Sequence, residues 1–299
     1  MIAYEGRQFS AALLALSLLC ACASNSSAPA PITDTTTLQS NARVDVGVET
    51  TLDDAISDSD SSSSDTVQAD SSSVRATDDV VDCTKSATVT TAWGTITGAC
   101  GALASELAST QPTFLVSEYN FSDACAFDPS GLASGPNKRY EGDNAGGSSL
   151  CSEVMSMQLL ADCDEASIYK TEKQIAYTSC QGAITDYIAE IDDQLVGVSV
   201  TRAYKGPSID VYSVQDATDL LEKKLAGVNE SSSKVKPSDK WLKQVLHIWT
   251  LRKDWVPLLK VAWQNLDAKL RGDTIVWVTV EQHPDGQTPW IVPDQCGLK

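Results

Sequence analysis

The chain has 299 residues and a net charge of −18, with 40 acidic against 22 basic residues. Such an acidic surface repels phosphate backbones, and no Lys/Arg cluster offsets it, so nucleic-acid binding is not expected. The length suits one or two domains. Residues 23–82 hold twelve acidic and two basic residues, which leaves residues 83–299 with a net charge of −8.

The first segment of the chain has the pattern of an export signal. Arg7 precedes an apolar run of 11 residues at 9–19. This is the length of a signal-peptide core and is too short to cross a bilayer, because a spanning helix needs about 20 residues. The run has no polar face, which argues against an ordinary amphipathic helix.

The residues after this run resemble the lipobox of bacterial lipoproteins. Leu19, Ala21 and Cys22 match it, whereas Cys20 stands where Ala or Ser is usual. The resemblance implies cleavage before Cys22 and lipidation of this residue, with several acyl chains that together give stable membrane anchoring. Ala23, where inner-membrane lipoproteins have Asp, implies the outer membrane of the cell envelope. The resemblance covers residues 1–22, and no family is recognised for the rest.

Plain secretion is an open alternative. Ala21 and Ala23 also fit a small-x-small cleavage site, and cleavage after Ala23 would release a soluble secreted protein. Three Asn-x-Ser sequons also leave a secreted glycoprotein open: Asn25, Asn120 and Asn229.

Residues 23–82 form a low-complexity stretch. They contain no aromatic residue and no Lys, and 21 of the 60 residues are Ser or Thr. This composition cannot bury enough apolar surface to offset the entropy of ordering the backbone, so we expect a disordered acidic linker. A flexible chain of this length spans about 40–45 Å and would hold the folded part away from a membrane. Its aspartates lack the Gly turn and terminal Glu of a calcium loop.

Residues 83–299 are expected to form a single extracytoplasmic domain stabilised by disulfides. Seven cysteines fall in it: Cys83, Cys100, Cys125, Cys151, Cys163, Cys180 and Cys296. Disulfides are the usual state of cysteines in an exported chain, and neither the Cys-x-x-Cys nor the Cys-x-x-His spacing of zinc sites occurs. Because seven is odd, one thiol stays free or forms an intermolecular disulfide.

A predicted helix at residues 149–162 constrains the disulfide pairing. Cys151 and Cys163 lie 12 residues apart, which in a helix is about 18 Å, whereas the Cα atoms of a disulfide lie within about 7 Å. Each should therefore pair with a cysteine on another element, and Cys180 is one option for Cys163. Cys296 should pair with a cysteine at or before Cys180 and tie the two halves of the domain together.

Hydrophobic periodicity predicts six helices. Apolar residues recur at spacings of three and four over residues 88–108, 149–162, 180–195 and 239–252. Asp216 is placed as the N-cap of a further helix that ends at Gly227, and Asp254 as the N-cap of a last helix that ends at Gly272.

Alternation of apolar and polar residues predicts two antiparallel hairpins. Residues 196–201 are expected to pair with residues 209–214, and residues 274–283 with residues 289–292. Hairpin, helices and hairpin in this order predict a helix-rich α+β fold rather than the strict alternation of a parallel α/β sheet.

Glu281 and His283 are the candidate catalytic residues. They lie two apart on a predicted strand, so both side chains point the same way. A carboxylate that orients an imidazole is a usable acid–base pair, which makes an extracellular hydrolase the alternative function. The pair has no evident nucleophile or metal partner and equally suits a polar strand end that enters a turn.

Other features favour packing over chemistry. His247 lies among apolar residues, and the spacing of Trp249 and Trp263 favours core packing over a sugar- or peptide-binding surface. The Gly-rich loop at residues 142–149 precedes a predicted helix but lacks the Lys of a phosphate-binding loop.

Together these features predict a membrane-anchored extracytoplasmic lipoprotein with a non-catalytic binding or structural domain. Its partners would be the membrane, through the lipid on Cys22, and an extracellular protein or glycan. The long linker supports this prediction, because a spacer extends the reach of a tethered domain. No motif indicates a cofactor or a metal ion.

Overall fold

A computed structural model describes residues 88–122, 127–142, 149–179, 181–206, 211–285 and 288–296. The predicted signal, Cys22 and the linker lie outside these ranges. Strands β1 to β8 span, in chain order, Val89–Thr90, Gly94–Gly98, Thr113–Phe121, Ser167–Thr171, Tyr187–Ile191, Gln194–Ala203, Lys243–Thr250 and Ile275–Gln282. Helices α1 to α6 span Leu103–Leu107, Ser134–Glu141, Leu150–Asp164, Val214–Lys234, Val256–Asn265 and Ala268–Arg271.

The eight strands form one mixed sheet in the order β1-β2-β3-β8-β7-β6-β5-β4. The four central strands, β3, β8, β7 and β6, run parallel to one another, and the outer strands pair antiparallel. The combination of helices with a mixed sheet agrees with the predicted α+β class. The parallel centre of the sheet is not predicted by the sequence pattern.

Helices cover both faces of the central strands. On one face, Leu221 of α4 and Leu259 of α5 share an apolar cluster with Val276 of β8. On the other face, Met155 of α3 shares a second cluster with Trp277, the next residue of β8. Because successive strand residues point to opposite faces, strands buried on both sides contain nearly continuous apolar runs.

Three predicted helices are confirmed in whole or in part. Helix α3 matches the prediction for residues 149–162. Helix α4 has Ser213 as its N-cap, with Asp216 closing a capping box, and it continues past Gly227. The last predicted helix divides into α5 and α6 and ends at Gly272 as predicted.

The other three predicted helices are wrong over most of their length. Residues 88–108 contain β1, β2 and the short α1, residues 180–195 contain β5 and the start of β6, and residues 239–252 contain β7. All eight residues of β7 are buried, so apolar residues face both sides and no alternation marks the strand. A short apolar run of this kind fits a helical stripe as well as a buried strand.

Both predicted hairpins are wrong, although β6 and β8 confirm their first strands. β6 lies between β5 and β7, and β8 lies between β7 and β3, so neither strand has a free side for residues 209–214 or 289–292. Within the described residues, 211–213 and 289–292 contain no strand. β6 instead pairs with β5 through a two-residue turn at Asp192 and Asp193, both at positive φ.

Two disulfides fasten the two ends of α3. Cys151 pairs with Cys296 and Cys163 with Cys100, with Cα separations of 5.5 and 4.8 Å. This confirms that Cys151 and Cys163 do not pair with each other and that Cys296 is bridged to a cysteine before residue 180. The suggested Cys163–Cys180 bridge is wrong, because Cys163 is bonded to Cys100. The remaining candidates lie outside the described residues: Cys83, Cys125 and Cys180.

Candidate functional site

Glu281 and His283 lie side by side at the end of β8. The distance from His283 Nε2 to Glu281 Oε1 is 2.8 Å, and the two side chains are only 4% and 0% exposed. The ring of Phe121 stacks on the imidazole with a centroid separation of 4.5 Å. The predicted juxtaposition of these two residues is therefore present, but in a buried setting.

The Glu281 carboxylate also binds the backbone of the C-terminal segment, which we define as residues 288–296. Oε1 accepts hydrogen bonds from the amides of Trp290 and Ile291, each at 2.9 Å, and Oε2 accepts one from Val292 at 2.7 Å. Residues 289–292, which were predicted to pair as a strand, are thus held by a side chain. Glu281 therefore positions the C-terminal segment, and its two carboxylate oxygens accept four hydrogen bonds in total.

Further contacts hold the C-terminal segment against α3 and β6. Besides the Cys151–Cys296 disulfide, Asp294 Oδ1 accepts a 2.6 Å hydrogen bond from the amide of Cys151. Arg202 Nη1 donates to the carbonyl oxygen of Val292 at 2.8 Å. The segment is therefore a fixed wall of the fold, built by contacts far apart in sequence.

This wall closes a cleft at the carboxyl ends of β6 and β7, which we call the carboxyl-end cleft. Its volume is about 370 Å³, and its lining consists of Ala203, Tyr204, Gly206, Leu251, Arg252, Trp255, Thr288, Pro289, Pro293 and Gln295. Tyr212 stacks on Trp255 with a centroid separation of 4.4 Å and supports its indole. The carboxyl ends of parallel strands are the usual place for ligands in sheets of this kind.

A second, polar cavity adjoins this cleft, and Tyr204 lines both. The polar cavity has a volume of about 200 Å³ and is lined by Ser149, Ser152, Val200, Thr201, Arg202, Tyr204 and Lys224. It forms because the pairing of β5 with β6 ends at Tyr187 and Val198, whereas β6 continues to Ala203. Side chains from α3 and α4 flank the strand edge that β5 leaves uncovered.

Acidic groups near the polar cavity are largely neutralised. Glu153 forms an ion pair with Arg139 at 2.8 Å and accepts a hydrogen bond from Ser149 Oγ at 2.6 Å. Asp186 Oδ2 accepts a 2.6 Å hydrogen bond from the amide of Val200. Burial, reinforced by the nearby Glu153 carboxylate, raises the pKa of Asp186 to about 7, so this carboxyl carries only part of a negative charge at neutral pH.

His247 belongs to a buried chain of hydrogen bonds. Its Nδ1 lies 2.7 Å from Ser156 Oγ, and its Nε2 lies 2.9 Å from Thr279 Oγ1. Ser156 Oγ also contacts the Tyr187 hydroxyl at 2.7 Å, and all four side chains are fully buried. Burial lowers the pKa of His247 to about 3, so the imidazole is neutral. This chain joins α3 to the sheet in a place that substrate cannot reach.

The tryptophans and the Gly-rich loop are the remaining features that the sequence analysis considered as binding sites. Trp249 is fully buried, and Trp263 packs on the α4–α5 cluster, as core packing predicts. Of the Gly-rich loop, residues 143–148 lie outside the described residues, and Ser149 binds Glu153.

Across the described ranges, no group of three His, Cys, Asp or Glu side chains could hold a metal ion. No helix in these ranges is both long and apolar enough to cross a membrane.

Sequence reasoning missed the residues that line the two cavities. Tyr204 and Leu251 directly follow β6 and β7. Their positions would indicate a ligand site only if the sequence showed that these strands are parallel, because ligands bind at the carboxyl ends of parallel strands. Lys224 carries no local signal, because a half-buried lysine on an amphipathic helix looks like any solvated one.

Comparisons with known proteins show no family. No family model matches the chain, and no solved structure matches it. A curated protein of Dictyostelium discoideum, described as "AAC-rich mRNA clone AAC4 protein", is 35% identical over 153 residues, which is 49% of this chain. The chain spans 22% of that protein's length.

Proposed function

We propose that the chain is a lipid-anchored protein of the cell envelope whose folded part binds a small organic ligand in the carboxyl-end cleft. The observation that carries the binding function is the cleft, where Tyr204, Leu251 and Trp255 present apolar surface beside polar rim residues. Ligand sites are typically concave, mainly apolar and about 300–1,000 Å³ in volume.

The anchor rests on the match of Leu19, Ala21 and Cys22 to the lipobox. One of the three sequons argues against the alternative of a secreted glycoprotein. Asn229 lies within α4, and its Nδ2 donates a 3.0 Å hydrogen bond to the carbonyl of Leu270. A glycan on that nitrogen would break this contact. Mass spectrometry of the mature N-terminus distinguishes lipidated Cys22 from an unmodified Ser24.

A hydrolase that uses Glu281 and His283 is the weaker proposal. In such a pair the carboxylate orients the imidazole, which acts as the base through its other nitrogen. His283 Nε2 binds Glu281, and its other nitrogen, Nδ1, is buried, while the Glu281 oxygens are also held by three backbone amides. This geometry favours a structural role for the pair.

Binding in the cleft can be tested with N-phenyl-1-naphthylamine, a neutral aromatic dye that fluoresces in apolar sites. The test variant is Gln295→Trp, which fills the cleft from its exposed rim. The matched control is Gln194→Trp, an exposed position at the opposite end of β6. We expect saturable binding to the wild type and the control and at least tenfold weaker binding to Gln295→Trp. Equal binding to all three proteins, or no binding to the wild type, would refute the proposal.

A further inference from the structure

We propose that the polar cavity binds an anionic group of the ligand, so that the ligand is an amphiphilic organic anion with its apolar part in the carboxyl-end cleft. This inference rests on the proposed function, because it concerns the same ligand. The anionic group would be a carboxylate or a phosphate, which share the chemistry of recognition by cations and hydroxyl donors.

The lining of the polar cavity supports an anion over a cation or a neutral group. Its charged side chains are Arg202 and Lys224, and its other side-chain donors are the hydroxyls of Thr201 and Tyr204. The Ser149 and Ser152 hydroxyls also line the cavity, but they already donate to Glu153 and to the Ser149 carbonyl oxygen. Arg202 already donates to Val292, which fixes the guanidinium in place. Lys224 is partly buried and forms no hydrogen bond or ion pair with the described residues. Its charge lies close enough to the Asp186 carboxyl to offset part of the rise that burial causes in the pKa of that group.

The two neighbouring acidic groups each have a partner outside the lining of the cavity or on the backbone. Glu153 is paired with Arg139, and Asp186 uses one oxygen to bind the amide of Val200. The raised pKa of Asp186, which follows from its burial, further reduces the negative charge beside the cavity. The two charged side chains that line the cavity are thus both cationic, within an otherwise acidic protein.

Tyr204 links the two parts of the proposed site. It is the one residue that lines both the polar cavity and the carboxyl-end cleft. A ligand that occupies both would place its anionic group on one side of this side chain and its apolar part on the other. Such division of a ligand between a few polar groups and an apolar wall is typical of small-molecule sites.

The test compares two dyes that differ by one anionic group. 8-Anilino-1-naphthalenesulfonate is N-phenyl-1-naphthylamine with an added sulfonate, so the ratio of their dissociation constants measures the contribution of the charge. The test variant is Lys224→Met, which keeps most of the length of the side chain and removes its charge, and the matched control is Lys223→Met, at the exposed neighbouring position of α4. Melting temperatures of both variants establish that they fold.

We expect the sulfonate dye to bind wild type and Lys223→Met at least tenfold more tightly than the neutral dye, and this advantage to fall below threefold in Lys224→Met. Inorganic phosphate, against chloride at equal ionic strength, should displace the sulfonate dye and spare the neutral one. If the neutral dye fails to bind in the cleft, the proposed function is wrong. If it binds as expected but the sulfonate brings no Lys224-dependent advantage, the inference about the anion alone is overturned.

Discussion

Glu281→Gln tests whether a single carboxylate holds the C-terminal segment in place. In the wild type, Glu281 accepts hydrogen bonds from His283 and from the amides of Trp290, Ile291 and Val292. The substitution keeps the shape of the side chain, removes its charge and turns one acceptor oxygen into a donor. Whichever way the amide is oriented, at least one backbone N–H then faces another N–H.

The magnitude follows from the number and kind of these hydrogen bonds. A hydrogen bond to a charged group contributes about 1.5–3 kcal/mol and one between neutral groups about 0.5–1.5 kcal/mol, while a buried donor without a partner costs about 1–3 kcal/mol. Neighbouring bonds are not additive, and the Cys151–Cys296 disulfide still retains the segment. We therefore expect the free energy of unfolding to fall by about 2–4 kcal/mol, a large part of a typical 5–15 kcal/mol.

Urea denaturation followed by tryptophan fluorescence measures this change. The control is Glu222→Gln, which makes the same chemical change at an exposed position of α4 and should alter the free energy of unfolding by less than about 0.5 kcal/mol. If Glu281→Gln is as stable as this control, the carboxylate does not hold the segment, and the hydrolase proposal regains support.

Three further changes test other parts of the molecule. His247→Leu should lower the free energy of unfolding by about 2–4 kcal/mol, because the buried Ser156 and Thr279 hydroxyls lose a partner; an unchanged urea midpoint would contradict this. Asp186→Asn should stabilise the protein by about 1–2 kcal/mol more at pH 8 than at pH 5. The pKa of the native carboxyl is raised to about 7, so the native state binds more protons than the unfolded chain and wild-type stability falls as pH rises from about 4 to about 7; equal gains at both pH values would refute the reasoning. Cys22→Ala should shift the protein from the membrane to the soluble fraction, and retention in the membrane would count against the lipid anchor.

Local patterns predicted β6 and α4 because one face of each element differs from the other. β6 alternates because its outer positions are partly exposed, and α4 has an apolar stripe that includes Leu221 and Leu225 against a charged face. β7 is buried on both faces, and its Val245 and Trp249 lie four residues apart, as on a helix. Periodicity cannot separate these cases, because both faces of the strand are apolar.

The candidate site could be predicted only where its residues are adjacent in sequence. Glu281 and His283 are two apart on one strand, so their contact follows from strand geometry. The sequence predicted a hairpin where Glu281 instead binds the backbone amides of residues 290–292. A strand followed by a turn and an apolar run is compatible with either arrangement. The carboxyl-end cleft joins Tyr204, Trp255 and Pro293, which come together only through the parallel order of the central strands.

The C-terminal segment joins stability to ligand binding, which gives a last prediction. Three of its four cleft-lining residues lie next to a point of attachment: Pro289 precedes Trp290, Pro293 follows Val292, and Gln295 precedes Cys296. Glu281 does not line the cleft, yet loss of its hydrogen bonds releases the middle of this wall. Glu281→Gln should therefore weaken the binding of N-phenyl-1-naphthylamine at least threefold under conditions in which the variant is fully folded. Glu222→Gln should leave the dissociation constant unchanged. A folded, destabilised Glu281→Gln protein that binds the dye like the wild type would show that the wall keeps its shape without the carboxylate, and that the cleft depends on the disulfide and on Arg202 instead.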